Sequence, residues 1–363
     1  MGSNPKRAVA LGVILVLAIG GCGGTADPVA KSGATATTSA TAAPSAGRIV
    51  YRRFLDGSET QGALYTSDTD GSHEKQLTDP GAGVVDDEPN WSPDGSRVVF
   101  SRNTATGTDH EQQAIYVIAA DGSGLTALSP KRAGASTQAF LPGADQGPAF
   151  SPDGQHIAFT HIGGHVAFGP AHGLPPGTDQ IEFSEIFVMD ADGSHRRQVT
   201  RHAAYSGDSG TGVAWSPDGS RLVYSHFSSP AASPAGCRSL FVVDVDGRHS
   251  RELTPCALGA GGAPDWSAAD VIVFRAVVDD ESGIGNFFSM SPQGGSPTQV
   301  THFTDTVISH KVGFSPDGRR IVFSTAKGGG ANDLFTADLD GSDLQRLTHT
   351  PQADSAPDWG PER

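Results

Sequence analysis

The sequence of 363 residues predicts an all-β protein made of six similar units, each with four antiparallel strands. An aromatic residue followed by Ser-Pro-Asp-Gly occurs four times, and two degenerate copies follow the same pattern. An Asp-x-Asp-Gly turn recurs later in most units, and Asp-Gly between two β-rich runs is a strong hairpin signal. The spacing of roughly 45 to 65 residues is that of a repeat protein. The copies begin at Trp91, Phe150, Trp215, Trp266, Phe314 and Trp359.

Each unit has the same order of parts. A β-branched run that closes on an aromatic residue follows the Ser-Pro-Asp-Gly turn, as in Arg97–Phe100 and Arg320–Phe323. A third run, such as Ile186–Val188, leads into the Asp-x-Asp-Gly turn, and a fourth run ends in Leu or Val followed by Ser or Thr. Four strands joined by tight turns at regular spacing predict the blades of a six-bladed β-propeller.

The two ends of the chain are predicted to share one blade. The repeat begins at Arg48–Tyr51, which matches a second strand and has no first strand before it. The matching first strand is found at the other end, at Pro357–Trp359. We therefore expect the C-terminal strand to join the N-terminal blade and to close the ring, which removes exposed sheet edges.

The Ser-Pro-Asp-Gly and Asp-x-Asp-Gly repeats resemble those of the C-terminal propeller of TolB and its relatives. The resemblance covers Arg48 to Arg363. It implies a six-bladed propeller fold. TolB also carries a separate N-terminal domain, whereas here only a linker is expected before Arg48, so the partners of TolB are not carried over.

The N-terminus has the features of a bacterial lipoprotein signal. Lys6 and Arg7 precede an apolar run of 12 residues, Ala8 to Ile19, which is too short to span a bilayer core. Ile19–Cys22 resembles a lipobox, so Cys22 is the expected lipid attachment site; the alternative is an ordinary signal peptide with a chance cysteine. We expect a signal peptide at 1–21, a flexible linker at 22–47 and a propeller at 48–363, anchored to the bacterial membrane outside the cytoplasm.

Two further cysteines, Cys237 and Cys256, flank the hairpin at Asp246–Gly247 symmetrically. The symmetry places them nearly opposite each other on the third and fourth strands of blade four. Because an exported protein meets an oxidising compartment, a disulfide between them is expected. The formal net charge of -15 argues against a nucleic-acid partner, since phosphate binding needs a basic surface.

The connections predict which side of the propeller carries specificity. The Ser-Pro-Asp-Gly and Asp-x-Asp-Gly turns lie on one side, here called the turn face, and hardly vary in length. The other two kinds of connection lie on the opposite side, the loop face, and vary widely: Ile162–Ser184 is long and Ala326–Asn332 is short. Variable loops on a rigid scaffold indicate a recognition surface.

Candidate site residues on the loop face are aspartates and histidines. Each aspartate lies five residues before one of the repeat aromatics on a first strand, here called the inner aromatics. The aspartates either form a rim that binds a ligand or a cation or, as we favour, accept hydrogen bonds from backbone N–H groups of their own loops. The histidines are either metal ligands or, as we favour, hydrogen-bonding groups, because no two have ligand spacing on one rigid element. The candidates are Asp86, Asp145, Asp354, His161, His202, His226, His302 and His349.

The favoured function is recognition of a protein, peptide or envelope glycan by the loop face of a monomeric, lipid-anchored propeller. No metal or cofactor is predicted, and no Gly-x-Ser-x-Gly nucleophile motif is found at a strand-to-helix turn. The alternative is a metal-assisted lyase or lactonase that uses the candidate aspartates and histidines at the mouth of the central tunnel.

Overall fold

The computed structural model describes residues 47–104, 113–129, 144–163, 183–201, 206–228, 237–279, 284–304, 308–327 and 329–362. Within these ranges the regular structure consists of β-strands and one 3-10 turn, Cys256–Leu258, which confirms the all-β prediction. No helix in these ranges is long and apolar enough to cross a membrane. The signal segment, Cys22 and the linker lie outside the described residues.

The strands pair as six four-stranded antiparallel units. The first three units are β1 (Arg48–Phe54), β2 (Gly62–Asp68), β3 (Lys75–Gln76) and β24 (Asp354–Gly360); β4 (Val85–Trp91), β5 (Arg97–Asn103), β6 (Gln113–Ala119) and β7 (Thr126–Ala127); and β8 (Ala144–Phe150), β9 (His156–Gly163), β10 (Phe183–Asp190) and β11 (Arg197–Gln198). The last three units are β12 (Ser206–Trp215), β13 (Arg221–Ser228), β14 (Cys237–Asp244) and β15 (Arg251–Glu252); β16 (Ala260–Trp266), β17 (Ile272–Asp279), β18 (Ile284–Met290) and β19 (Thr298–Gln299); and β20 (Ile308–Phe314), β21 (Arg320–Thr325), β22 (Asp333–Asp338) and β23 (Gln345–Arg346).

The C-terminal strand belongs to the first unit, as the repeat pattern predicts. β24 runs antiparallel to β1, with Ile49 opposite Trp359 and Arg53 opposite Asp354. The first strands of successive units contact one another from β4 through β8, β12, β16 and β20, and β24 contacts both β20 and β4. Residues from both ends of the described chain therefore build one sheet.

Apolar side chains fill the space between neighbouring units. Trp91, on the first strand of unit two, packs in one cluster with Val50 and Leu64 of unit one and with Phe100 of its own unit. The second strands lie inside their sheets, and their side chains are covered on both faces. Every residue of β21, for example, is buried. The inner aromatics of all six units are packing residues of such clusters: Trp91, Phe150, Trp215, Trp266, Phe314 and Trp359.

The repeated Ser-Pro-Asp-Gly turn is held by its own side chains. The Ser216 hydroxyl donates to Asp218 (2.6 Å) and accepts from the Arg221 amide (2.9 Å), while the Ser220 amide donates to Asp218 (3.0 Å). The hydrogen bond from Ser216, followed by those from Ser220, lowers the pKa of Asp218 to about 2. Gly219 has φ 70°, which favours glycine. The aspartate therefore shapes the backbone.

The predicted disulfide is present between Cys237 and Cys256, whose Cα atoms are 5.2 Å apart. Its position differs in one respect from the expectation. Cys237 begins β14, but Cys256 lies in the 3-10 turn that follows β15, because the fourth strand of this unit is only two residues long. The bond therefore ties the start of the third strand to the segment that leads into β16.

Replacing both Cys237 and Cys256 by serine is expected to lower the free energy of unfolding by about 3 kcal/mol. The bond closes a loop with a sequence separation of 19, and loops of this size give stabilisation of this order by restricting the unfolded chain. Urea unfolding followed by circular dichroism measures the difference. Reduction of the wild type should reproduce it, and equal midpoints for the oxidised protein and the double variant would contradict the prediction.

Candidate functional site

The candidate aspartates occupy one equivalent position in three units. Each lies directly across from the residue two places beyond the aromatic of the second strand: Asp354 faces Arg53, Asp86 faces Arg102 and Asp145 faces His161. In unit four the register pairs Asp208 with His226. Asp208 was not among the candidates, because β12 is longer than the other first strands and Asp208 therefore does not lie five residues before Trp215.

Two of these carboxylates are fully buried in bidentate pairs with arginine. Asp354, with 0% exposure, accepts from Arg53 Nε (2.7 Å) and Nη2 (2.8 Å). Asp86, also 0% exposed, accepts from Arg102 Nε (2.5 Å) and Nη2 (2.8 Å). A forked guanidinium fits a carboxylate in this way and satisfies both of its oxygens. Burial raises the pKa of Asp354, although the hydrogen bond from Arg53 opposes the shift.

The third carboxylate, that of Asp145, is also engaged by internal partners, but these are different from the partners of the other two. Asp145 accepts from His161 Nδ1 (2.7 Å), from the Ser129 hydroxyl (2.7 Å) and from both terminal nitrogens of Arg196 (2.5 and 2.8 Å). Burial opposes ionisation, but the bonds from His161 and Arg196 hold the pKa of Asp145 below its usual range. Arg196 comes from the hairpin between β10 and β11, so a cation from another part of the unit fills the place of Arg53.

The three arginines also stack on aromatic side chains of the second and third strands. Each guanidinium lies over a pair of rings at centroid distances between 4.7 and 5.6 Å, which adds a cation–π contribution to each ion pair. The pairs are Tyr51 with Tyr65 under Arg53, Phe100 with Tyr116 under Arg102, and Phe159 with Phe187 under Arg196.

These contacts correct the favoured interpretation of the aspartates. Asp86, Asp145 and Asp354 are buried, and their partners are side chains of arginine, histidine and serine in place of loop backbone. The expectation failed because it considered only backbone groups of the same loop, whereas the partners are side chains from other strands and connections. Arg53 and Arg102, both two residues beyond the second-strand aromatic, were the available sequence signal.

The candidate histidines do not form one cluster. His161 is bound to Asp145. His226 is buried in a T-shaped contact with Phe241, with the ring centroids 5.0 Å apart, and burial lowers its pKa. His302 and His349 are exposed, and His202 lies outside the described residues. In the part of the chain that the structure describes, no three His, Cys, Asp or Glu groups could together hold a metal ion.

A polar cavity of about 160 Å³ lies where the first strands of all six units meet. Its charged lining residues are Glu88, Asp265, Lys311 and Asp358. The Lys311 ammonium donates to the carbonyl of Pro89 on β4, and Glu88 accepts from the amide of Gly147 on β8 (2.8 Å). These charged groups therefore bond first strands of different units to one another.

A second set of polar residues joins three of the first strands to the first strand of the following unit. Asp358 accepts from the Trp91 amide (2.8 Å), Asn90 from the Phe150 amide (2.8 Å) and Asp265 from the Phe314 amide (2.7 Å). All three acceptors stand immediately before an inner aromatic, and all three donors are the inner aromatics of the following unit. These three residues were not among the candidates, although a polar residue directly before the aromatic in three of six repeats was a visible signal in the sequence.

Asp265 predicts a measurable pH dependence of stability. Burial, followed by repulsion from Asp358, raises its pKa from 3.8 to about 6. The pKa of Asp265 is therefore higher in the folded than in the unfolded protein. Its contribution to the stability of the fold is greatest below about pH 4, where the carboxyl is protonated in both states, and it falls as pH rises through about 6, where the buried group must ionise. As pH rises from about 4 to above 6, the free energy of unfolding of Asp265→Asn should therefore increase by up to about 3 kcal/mol relative to that of the wild type.

Urea unfolding of both proteins at pH 4.5 and 7.5 measures this gain. Asparagine can keep only one of the two backbone hydrogen bonds that Asp265 accepts, but that loss applies at both pH values and cancels in the comparison. Asp218→Asn is the control: the pKa of Asp218 is about 2, so its effect should change little over this interval. A difference between Asp265→Asn and wild type that is independent of pH would contradict the assignment.

Comparison with solved structures identifies the fold. The chain is similar to TolB from Acinetobacter baumannii (19% identity, TM-score 0.61, 87% of this chain and 67% of that one) and to a putative TolB from Agrobacterium tumefaciens (16%, 0.55, 87% and 99%). It is also similar to part of the hydrazine synthase of Kuenenia stuttgartiensis (14%, 0.63, 86% and 46%). No protein-family model matches the sequence. At these identities the likeness concerns the fold alone, and the chain has a TolB-like β-propeller fold.

Proposed function

We propose that this protein is a lipid-anchored, extracytoplasmic six-bladed propeller that binds a protein, peptide or cell-envelope component through its loop face. One observation carries the proposal. The polar groups that recur from unit to unit are engaged in internal hydrogen bonds, in the turns, in the Asp–Arg pairs and between first strands. Variation is left to the connections of the loop face, which is where recognition by a rigid scaffold is found.

A closed ring is part of this proposal. The pairing of β1 with β24 and the unbroken series of contacts among the first strands support closure. A closed ring would hold the loops in fixed relative positions and so reduce the entropy lost on binding. We also propose the division into a signal peptide at 1–21, a lipidated linker at 22–47 and a propeller at 48–363, with Cys22 as the attachment site. The disulfide supports an oxidising compartment.

The contacts of the candidate aspartates favour binding over the alternative of a metal-assisted enzyme. A divalent metal needs several carboxylate or imidazole ligands that converge on one point. Asp86, Asp145 and Asp354 each have their own arginine, and a carboxylate already engaged by a guanidinium is a poor metal ligand.

Exchange of one long loop tests the function. Residues 164–182 are replaced by a short Gly-Ser linker in the full chain, which is expressed in its host, cross-linked with formaldehyde and purified. A partner recovered with the wild type should be lost with the loop variant. The control carries Asp192→Asn and Gln155→Ala, two changes on the turn face, and should recover the partner. Equal recovery with the loop variant would contradict the proposal, provided that both variants unfold at the wild-type temperature.

A further inference from the structure

Arg275 on β17 is a partly buried cation with no acceptor among the described residues. Its Nε atom is fully buried and has no hydrogen-bond partner, and no ion pair joins its guanidinium to any residue in the described ranges. Leaving a buried guanidinium nitrogen unsatisfied costs more than leaving any neutral donor unpaired. In a chain with a formal net charge of -15, acceptors are plentiful, so an arginine without one needs an explanation.

The equivalent arginine of unit one shows what this position can bind. Arg52 follows the second-strand aromatic Tyr51 by one residue, as Arg275 follows Phe274. Arg52 donates to the carboxylate of Asp87 on the next unit and to the hydroxyl of Ser355 on its own first strand (2.5 Å). A guanidinium at this position therefore reaches a carboxylate when one is provided.

Among the residues that the structure describes, unit five and its neighbour provide neither acceptor. The residue opposite Arg275 on β16 is Gly261, whereas the residue opposite Arg52 is Ser355. The next first strand, β20, reads Ile-Ser-His-Lys-Val-Gly-Phe and contains no acidic residue, whereas β4 supplies Asp87. In the described part of the chain, Arg275 therefore lacks counterparts of the two groups that Arg52 binds.

A second arginine lies close to the first. Burial lowers the pKa of Arg275, and the positive charge of Arg238 lowers it further, so the two guanidinium groups repel each other in the unbound protein. Arg238 is exposed, lies over the Phe227 ring at 5.7 Å, and has no salt bridge among the described residues. Two neighbouring cations without a counterion are the usual arrangement for binding an anion.

Glycines make room for both side chains. A Cβ atom on Gly285 would lie 2.9 Å from Arg275 Nε, and a Cβ atom on Gly261 would lie 3.4 Å from the Cδ atom of Arg238. The disulfide joins the start of β14, where Arg238 lies, to the segment that leads into β16, where Gly261 lies. Arg238 is the second residue of β14, which follows a variable connection, so the pair lies towards the loop face.

We propose that Arg238 and Arg275 form a carboxylate-binding site for an acidic side chain of a peptide segment of the partner. The proposal rests on the proposed function and specifies the chemistry of the ligand. Arg275 supplies a guanidinium that forms no hydrogen bond or ion pair within the described ranges, and the exposed Arg238 supplies a second charge. Binding removes the repulsion between the two cations, so the site favours an anion over a neutral group.

Calorimetric titration with a model peptide tests the site. The probe is a hexapeptide with two central glutamates, acetylated and amidated so that it carries no terminal charges, and the same peptide with glutamines is its neutral counterpart. We expect the glutamate peptide to bind at least tenfold more tightly, and Arg275→Gln or Arg238→Gln to remove that preference. Arg248→Gln is the matched control, since Arg248 lies on the β14–β15 hairpin of the turn face and is paired with Asp246.

Thermal unfolding separates a binding role from a structural one. Without peptide, Arg275→Gln should unfold at or above the wild-type temperature, because it removes a partly buried charge that has no acceptor among the described residues. If that variant does not fold, Arg238→Gln, an exposed change, decides the question. Equal binding of the two peptides to the wild type, or an undiminished preference in the Arg238 variant, would overturn the site. Binding of sodium glucuronate without binding of the peptide would overturn the peptide assignment.

The loop-exchange experiment remains independent of these outcomes. If the peptides show no preference but the partner is still lost on exchange of residues 164–182, only the carboxylate site fails. If the partner is recovered equally with all variants while the glutamate peptide still discriminates, the proposed function fails and the anion site remains.

Discussion

A chain that lacks residues 354–363 is expected to lose its cooperative unfolding transition. The deletion removes β24, leaves β1 as an exposed edge strand and takes away the buried Trp359 side chain, whose loss alone costs about 3–5 kcal/mol. It also removes Asp358, which accepts from the Trp91 amide of unit two. Because whole proteins are stable by about 5–15 kcal/mol, these losses together approach the total.

Circular dichroism during a urea titration, together with size-exclusion chromatography, measures the effect. The truncated chain should show a broad transition and elute as larger species, since a free edge pairs with other chains. A chain that lacks only residues 361–363 is the control and should behave as wild type. Addition of a synthetic peptide of residues 352–363 in excess should restore part of the transition. A truncated chain with the wild-type midpoint and slope would show that β24 does not hold the fold together.

Replacing Arg53 by methionine is expected to lower the free energy of unfolding at pH 7 by about 3–5 kcal/mol, because it leaves the fully buried carboxylate of Asp354 without its bidentate partner. The same arginine also bonds Glu74 (2.7 Å). The loss should be smaller at pH 4. The pKa of Asp354 is already raised by burial in the wild type, and it rises further without Arg53, so the carboxyl takes up a proton as pH falls.

A double substitution distinguishes a broken ion pair from a packing defect. Arg53→Met combined with Asp354→Leu removes both charges, and replacing a whole buried ion pair by apolar groups is often close to neutral. The double variant should therefore be more stable than Arg53→Met alone. Arg248→Met, at an exposed arginine, is the control and should change stability by less than about 0.5 kcal/mol. A double variant less stable than either single one would contradict the role assigned to the pair.

Much of the fold was predictable because the repeat carries its own spacing. Trp215 and its equivalents mark each first strand, the Ser216–Gly219 turn marks the hairpin after it, and the unmatched strand at Arg48–Tyr51 predicts the pairing with Trp359. These signals are local, and local backbone chemistry decides them. The disulfide was predictable for the same reason, since the symmetric spacing about one hairpin nearly sets the distance between the two cysteines.

The chemistry of the candidate residues was less predictable because their partners are distant in sequence. Arg53 reaches Asp354 from the opposite end of the chain, and Arg196 replaces a second-strand arginine from a different hairpin. An aspartate that recurs at one position of the repeat indicates a shared role, but the repeat does not show which segment supplies its partner. The same holds for Arg275, whose significance comes from the acceptors that its neighbours lack.

Site-specific photo-cross-linking in the host tests most directly the claim that the loop face is the recognition surface. A benzophenone amino acid is placed at the exposed residues Lys327 or His349 on the loop face, and at the exposed residues Asp340 or Asp192 on the turn face. We expect a partner adduct from Lys327 or His349 and none from Asp340 or Asp192. Adducts formed only from the turn face would contradict it.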